Sequence, residues 1–376
     1  MGDMIHPQLS DTEENAMNRR RFLSAGAMGT LATLVPGTGA TAATNNGYNK
    51  YAAGLRAPLN PDGGVAEMVR LATLAPNGHN TQAWKFSETT QGIAISPDMS
   101  RRTPVVDPDD HHLFISLGAA LTNLEIAGHA IGRPGRTEIA TDGSALYQWT
   151  AANPVSGPMT EAILQRQSTR AEFDARAIEP KILAQLERAA SEPGVRLVIL
   201  SEPGRIAQLT ELILTANDSQ MENAAFKAEL KDWIRFNPEQ AMASGDGLLT
   251  IAGGNPSLPG FVAPLLFDAF FSKKSERRKY ALQMQSTPAV AIFLSDRSDP
   301  RNWVRTGMAA ERMLLHATRV GLATAFVNQP VEVANYRADL ADLAGEPGLR
   351  PDLIIRLGQA PRLPYSPRRP VSEVLS

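Results

Sequence analysis

Two runs of this sequence match each other at one constant offset. Residues 113–132 read LFISLGAALTNLEIAGHAIG, and residues 302–321 read NWVRTGMAAERMLLHATRVG. At an offset of 189, Gly118 and Gly132 fall on Gly307 and Gly321, Ala120 on Ala309, Leu124 on Met313 and Ile131 on Val320. An aspartate-rich turn precedes each run, Asp107 to Asp110 in one case and Asp296 to Pro300 in the other. Both runs are apolar on most sides, the pattern of helices buried between layers. Any two amphipathic helices share some of this, so the surroundings carry the comparison. Before each run stand an earlier helix and two strand candidates: Val65 to Ala75, Ala83 to Ser87 and Gly92 to Ile95 in the first half, and Ile182 to Ala190, Val195 to Leu200 and Ala289 to Leu294 in the second. The order helix, strand, strand, central helix therefore occurs twice. The expected fold is α+β, with two copies of one domain docked as an intramolecular pseudo-dimer.

The expected first domain covers residues 43–150 and the second 159–376. The Gly-, Ser-, Asn- and Pro-rich stretch Asp142 to Pro158 reads as the linker between them. The second copy carries an insertion at about 217–275 with a glycine- and proline-rich core, MASGDGLLTIAGGNPSLPGFVAP. Connections of this length in compact domains are most often lids or disordered. The apolar run LPGFVAPLLFDAFF favours a lid. Residues 1–42 lie outside the expected fold. Arg19, Arg20 and Arg21 precede a short apolar run and the small residues Ala40-Thr41-Ala42, the order of an export signal. Phe22-Leu23 after the arginines resembles a twin-arginine signal, which is read by machinery that exports folded proteins, so a periplasmic or other extracytoplasmic location is expected.

The formal net charge is -2, without the basic stripe a nucleic-acid partner requires. The chain contains no cysteine, which excludes thiolate metal sites, disulfides and a thiol nucleophile. No glycine-rich dinucleotide fingerprint follows a strand, and neither a phosphate-binding P-loop nor a nucleophile elbow is present. No metal site is expected. The six histidines are scattered; His111-His112 reads as a solvated turn, and His79 as either a surface residue or a ligand contact.

Three polar stretches remain. In APNGHNTQAWKF, Pro76, Asn77, Asn80 and Gln82 border a small exposed loop. RQSTRAEF places Arg166, Ser168 and Arg170 within five residues, and SPRRP adds Arg368 and Arg369 near the C-terminus. Guanidinium forks stay charged and pair bidentately with phosphate oxygens, so two such clusters bracketing one domain point to a phosphate site.

Together with GLATAFVNQPVEV, these stretches resemble the nitroreductase-like FMN flavoproteins, in particular the tandem, exported Acg-type subgroup in which two such domains are fused. The resemblance spans nearly all of the chain after the signal. It implies one FMN per chain, with Arg166, Ser168, Arg170, Arg368 and Arg369 at the phosphate, and Pro76, Asn77, Asn80, Gln82, Asn328 and Gln329 at the ring. The reciprocal site lacks both its arginine start motif and its N-x-Q loop. The implied activity is oxidoreductase: two-electron transfer from NAD(P)H, or another donor outside the cytoplasm, to nitroaromatic or quinone-like small molecules. The alternative is a flavin-binding or sequestering protein with little turnover. Internal fusion supplies the partner surface, so a monomer is expected.

Overall fold

The computed structural model describes residues 38–258, 267 and 271–376. The chain separates into two units, residues 1–44 and residues 45–376. The described helices of the first half are α1 (Thr38–Leu55), α2 (Gly64–Ala72) and α3 (His111–Ala130), with strands β1 (Trp84–Thr89), β2 (Gly92–Pro97), β3 (Gly135–Ile139) and β4 (Ala145–Trp149). Position 42, the expected end of the signal, lies inside α1; residues 1–37 lie outside the described residues.

The second half contains α4 (Pro158–Gln165), α5 (Pro180–Ala189), β5 (Val195–Leu200), α6 (Pro203–Glu222), α7 (Ala224–Trp233), β6 (Ile234–Arg235), α8 (Pro238–Ser244) and β7 (Leu248–Leu249). It continues with α9 (Lys273–Gln285), β8 (Ala289–Ser295), α10 (Pro300–Arg319), β9 (Ala323–Phe326), α11 (Gln329–Glu332), α12 (Arg337–Ala344) and β10 (Arg350–Gly358).

Two four-stranded sheets have the orders β1-β2-β4-β3 and β5-β8-β10-β9. Every pairing in both is antiparallel. In each sheet two strands precede the long central helix and two follow it, in the same spatial order. The hairpin β3–β4 is a correction to the sequence reading, which assigned the chain from Asp142 onward to a linker. Gly135 and the polar residues around it carry little strand signal because β3 is a half-exposed edge strand.

Gly118 of α3 and Gly307 of α10 mark where the central helices cross. A side chain on Gly118 would overlap the Val304 carbonyl, and one on Gly307 would overlap the Ile115 carbonyl. The offset of 189 carries Ile115 onto Val304 and Gly118 onto Gly307, so the two contacts are reciprocal. Glycine is required here because the backbones touch.

One continuous core joins both sheets to both central helices, with Phe86, Ile93 and Tyr147 from one sheet and Phe293, Ile355 and Leu357 from the other. The first sheet leaves its second face to solvent, as the exposed Lys85 and the half-buried Ser87, Ala94 and Ser96 indicate. The second sheet is covered on both faces. Val290, Ile292 and Ile354 point away from the main core into a cluster under α6, α9 and α12. That explains why β8 reads as an unbroken apolar run. The described part of the 217–275 insertion is not a bare loop: it holds the end of α6, α7, α8 and the short parallel pair β6–β7. Phe267 stacks on Phe271 and meets Phe236 edge-on. Residues 259–266 and 268–270 of the apolar run lie outside the described residues.

Candidate functional site

The loop between α2 and β1 holds three non-glycine residues in the left-handed region: His79 at φ 48°, Asn80 at φ 55° and Gln82 at φ 53°. Each costs about 1–3 kcal/mol and persists only where surrounding bonds over-determine it. They do so here. Asn77 Oδ1 accepts the Gln82 backbone N–H at 2.9 Å. The Asn80 amide donates to the Gly247 carbonyl at 3.0 Å and to the Pro367 carbonyl at 3.1 Å. The Gln82 amide donates to the Gly245 carbonyl at 2.9 Å, and its oxygen accepts the Arg369 backbone N–H at 2.9 Å.

Asn80 and Gln82, expected at the ring, spend these side-chain bonds on protein groups. Both are buried and hold the insertion and the C-terminal tail against the loop. Pro76 and Asn77 are half-buried at the loop's entrance. His79 is also half-buried; burial and the Arg170 guanidinium push its imidazole down to about 4.

Three guanidiniums meet beside that loop. Arg368 is buried, and all five of its N–H donors go to protein oxygens: its Nε to the Thr73 carbonyl, one amino group to Asn80 Oδ1 (2.9 Å) and the Pro367 carbonyl (2.8 Å), the other to the Leu74 and Ala75 carbonyls (3.1 Å each). It closes the C-terminal end of α2, where cations complement the exposed carbonyls, and keeps no donor for a ligand. The buried Arg166 donates to the Leu74 carbonyl at 2.7 Å, and its Nε lies 3.4 Å from Glu311 Oε1.

The third guanidinium, Arg56 at the end of α1, was missed in the sequence, where its segment registered only as lacking an R-x-S-x-R start. It lies over the Tyr365 ring at 3.9 Å, and its Nε and Nη1 are enclosed without a hydrogen-bond partner, as is Arg166 Nε. Burial and the neighbouring Arg166 lower Arg56 to about 10. The carboxyl in the cluster, Glu311, is pushed up to about 7 by burial, although Arg166 opposes the shift. The cluster thus carries excess positive charge and unused donors. Arg369 does not join it: its side chain turns back to Glu373, at 3.2 Å from Nε to the carboxylate and 3.0 Å from Nη2 to the carbonyl.

From Arg166 the chain runs extended. Ser168 forms a parallel bridge with Thr324, and the Thr169 N–H donates to the Thr324 carbonyl at 2.8 Å. Alternation along an extended chain places Arg166, Ser168 and Arg170 on one side, with about 13 Å between the two arginines. Among the described residues, Arg170 donates no side-chain hydrogen bond. Its titratable neighbours include Tyr280, His79 and Lys279, and burial lowers its pKa.

Across from His79, Asn328 Nδ2 lies 3.4 Å from His112 Nε2, and Asn328 Oδ1 accepts the Ile354 N–H at 2.9 Å. Gln329 is buried with its Oε1 unpartnered. One turn on, Glu332 accepts from Gln220 Nε2 at 2.6 Å and is pushed up to about 7 by burial. It was not singled out in the sequence, where nothing local marks a buried carboxyl.

His111 and His112 are not a solvated turn. Both are buried at the start of α3, with ring centroids 3.9 Å apart. His111 Nδ1 lies 2.9 Å from Asp107 and 3.1 Å from Asp109; burial opposes its charge, yet the two carboxylates hold its pKa above the ordinary value. His112 is pushed down to about 3 by burial and by His111. Asp107 also accepts the His112 and Leu113 N–H groups (3.1 and 3.0 Å), while Arg350 holds Asp109 at 2.7 Å. The network is an ion-paired cap on α3.

The nitroreductase family model matches residues 163–359, more than half of the chain, and the chain belongs to that family. It is similar to a protein of Mycobacterium tuberculosis H37Rv provisionally named NAD(P)H nitroreductase Rv3131, at 26% identity over 328 residues, covering 83% of this chain and 90% of that one. A second relative from the same organism, provisionally named NAD(P)H nitroreductase acg, is 23% identical over 322 residues and covers 82% and 94% of the two chains. Among solved structures, a nitroreductase with bound FMN from Desulfitobacterium hafniense aligns at 14% identity and a TM-score of 0.36, covering 57% of this chain and 94% of that one.

Proposed function

We propose that this chain is an FMN-binding oxidoreductase of the nitroreductase type, built as two fused domains paired as a pseudo-dimer with one flavin per chain. The observation that carries the reading is the guanidinium cluster at Arg56 and Arg166: Arg56 Nε and Nη1 are enclosed without a protein acceptor, and Arg166 Nε has only the Glu311 carboxyl, at 3.4 Å. Unsatisfied buried donors of this kind are costly and fit a phosphate ligand. Arg56 and Arg166 would hold the phosphate, and Ser168 and Arg170 would run along the cofactor. His79, Asn328 and Gln329 would border its ring, with the α2 end fixed from behind by Arg368.

When bound, FMN supplies reversible two-electron chemistry; the protein's task is placement and electrostatics. Asn80 and Gln82 act by locking the strained loop. Arg170 offers a fixed positive charge. The names of the relatives support NAD(P)H as the donor and nitro compounds as acceptors; quinone-like acceptors rest on the family resemblance alone. With residues 1–42 acting as a twin-arginine export signal, the protein would work outside the cytoplasm with a different donor.

A second reading, flavin sequestration with little turnover, is favoured by one observation. Gly245 and Gly247 of the insertion are bonded directly to the ring loop, as a lid that stays closed would be. Reconstitution with FMN followed by anaerobic NADPH addition separates the two. One equivalent of flavin that bleaches rapidly supports the reductase. Flavin that bleaches only with dithionite supports sequestration, and no flavin uptake defeats both.

A further inference from the structure

Glu311 stands in α10 where Ala310, Met313, Leu314 and Leu315 enter the main core, and it is 0% exposed. At the offset of 189 its counterpart in α3 is Thr122, whose hydroxyl donates to the Met308 carbonyl at 3.3 Å. The acid at this register therefore belongs to one central helix alone, the one in contact with Arg166. Neither carboxyl oxygen has a hydrogen-bond partner, and Arg166 Nε lies 3.4 Å from Oε1. From α3, Asn123 neighbours the carboxyl, and its own Oδ1 is likewise enclosed without a donor. The charged groups that act on Glu311 are Arg166 and, from the tail, Arg368. Arg56 lies beyond them, among the phenols of Tyr48, Tyr51 and Tyr365, which stay neutral below about pH 10. Arg368 spends its charge on the carbonyls that end α2. Two positive charges, on Arg56 and Arg166, are left for a ligand, and one phosphate dianion balances them. A carboxylate at Glu311 is then a surplus buried negative charge, which favours its protonation.

We propose that FMN binding is coupled to proton uptake by Glu311: the carboxylate that serves Arg166 in the flavin-free chain is neutralised when the cofactor's phosphate takes over that guanidinium. The inference rests on the FMN reading above. The proton comes from solvent, and the one covalent bond formed is the O–H of the Glu311 acid. That O–H brings a donor beside the Asn123 Oδ1, which has none. Riboflavin carries the same ring without the phosphate, so it adds no charge to the cluster and draws no proton. Glu311 is thus a positioning residue acting through Arg166, and it sets how the preference for FMN over riboflavin varies with pH. Burial, opposed by Arg166, pushes its carboxyl up to about 7, so the exchange falls near neutral pH. A phosphate monoester loses its second proton near pH 6, so above about pH 7 the exchange belongs to the protein and not to the ligand.

The test is calorimetric titration of the full chain with FMN and, separately, with riboflavin. It is run at about pH 7.5 in PIPES, HEPES and Tris, whose different ionisation enthalpies give the number of protons exchanged on binding. Failure to bind FMN overturns the cofactor reading itself. With FMN bound, about half a proton or more should be taken up, against less than about a tenth with riboflavin. Glu311→Gln should bind FMN without proton uptake. Its affinity for FMN should exceed the parent's by up to about tenfold at about pH 8.5 and match it within about twofold at about pH 5.5, where the parent's acid is already protonated. A merely structural role for Glu311 would move affinity but not the proton count. FMN binding without uptake, equal uptake with riboflavin, or uptake that survives Glu311→Gln would each overturn the proposal. The first two outcomes are read on the unmodified chain, so they decide the matter even for a variant that folds poorly.

Discussion

Arg368 is a motif residue whose donors are all taken up by the protein. Its donors reach carbonyls at Thr73, Leu74 and Ala75 together with Asn80 Oδ1, so it ties the C-terminal tail to the start of the ring loop. Arg368→Met would leave several buried oxygens unpaired, each worth about 1–3 kcal/mol. Urea denaturation should show a loss of about 3 kcal/mol or more, and lysine, without the planar fork, should not rescue it. A variant as stable as the parent would mean that the tail is held elsewhere. Glu311 makes a second prediction. Its folded pKa of about 7 lies above the ordinary value near 4.5, so the folded state binds the proton more tightly. Its contribution to stability is therefore full below about pH 4.5 and lost as pH rises to about 7. His79 and His112 are depressed to about 4 and about 3, so theirs is full above about pH 6.5 and lost on acidification. Glu311→Gln should stabilise the protein at pH 8 by up to about 3 kcal/mol and bring little at pH 4.5. An equal gain at both pH values would show that Glu311 is not protonated in the fold. The sequence placed Arg166 and Arg368 at the phosphate and Asn80 at the ring; in the structure Arg368 bonds Asn80 Oδ1 directly and shares the Leu74 carbonyl with Arg166. It could not show which way each side chain turns, because Gly245, Gly247 and Pro367, the groups that bind the amides, lie far along the chain. Arg56 stands alone in an apolar segment, and only burial distinguishes it from a surface arginine.

The central helices are fixed by a contact that admits no Cβ. Gly118 faces the Val304 carbonyl and Gly307 faces the Ile115 carbonyl, so alanine at either position must push the two backbones apart. Overpacking a rigid site typically costs 1–3 kcal/mol, and here the obstructing atoms are backbone that cannot rotate away. Gly118→Ala is expected to cost about 3 kcal/mol or more by thermal or chemical unfolding. The double variant with Gly307→Ala should cost less than the sum, because one displacement relieves both clashes. Strict additivity would mean the helices adjust independently. These helices and the apolar strands were legible from periodicity, since burial on most sides leaves little room for polar residues. The β3–β4 hairpin was not. Its exposed edge tolerates Gly, Arg, Thr and Glu, and its Asp142-Gly143 turn has the composition of a linker.

Over the whole chain, the tail of the second half completes the sheet of the first. The Phe86 N–H donates to the Val374 carbonyl at 2.7 Å, the Glu88 N–H to the Ser376 carbonyl at 3.0 Å, and the Ser376 N–H to the Phe86 carbonyl at 2.9 Å. Val374 is buried in the main core, and Leu375 packs against it. Tyr48 and Tyr51 of α1 in turn donate to the Tyr365 and Arg368 carbonyls at 2.6 and 2.9 Å. Each half thus contributes a segment that the other needs. That exchange, with the shared core, leaves no surface along which the halves could part and unfold one at a time. Deleting residues 374–376 removes three strand hydrogen bonds and a buried valine, about 2–4 kcal/mol in total, and exposes the long edge of β1, a template for association. The truncated chain should melt at a lower temperature but still in one transition, and it should aggregate more readily on heating. Calorimetry decides the point. Two resolved transitions in the truncated chain, with the upper one at the original temperature, would mean that the second half folds without the first and that the tail alone couples them.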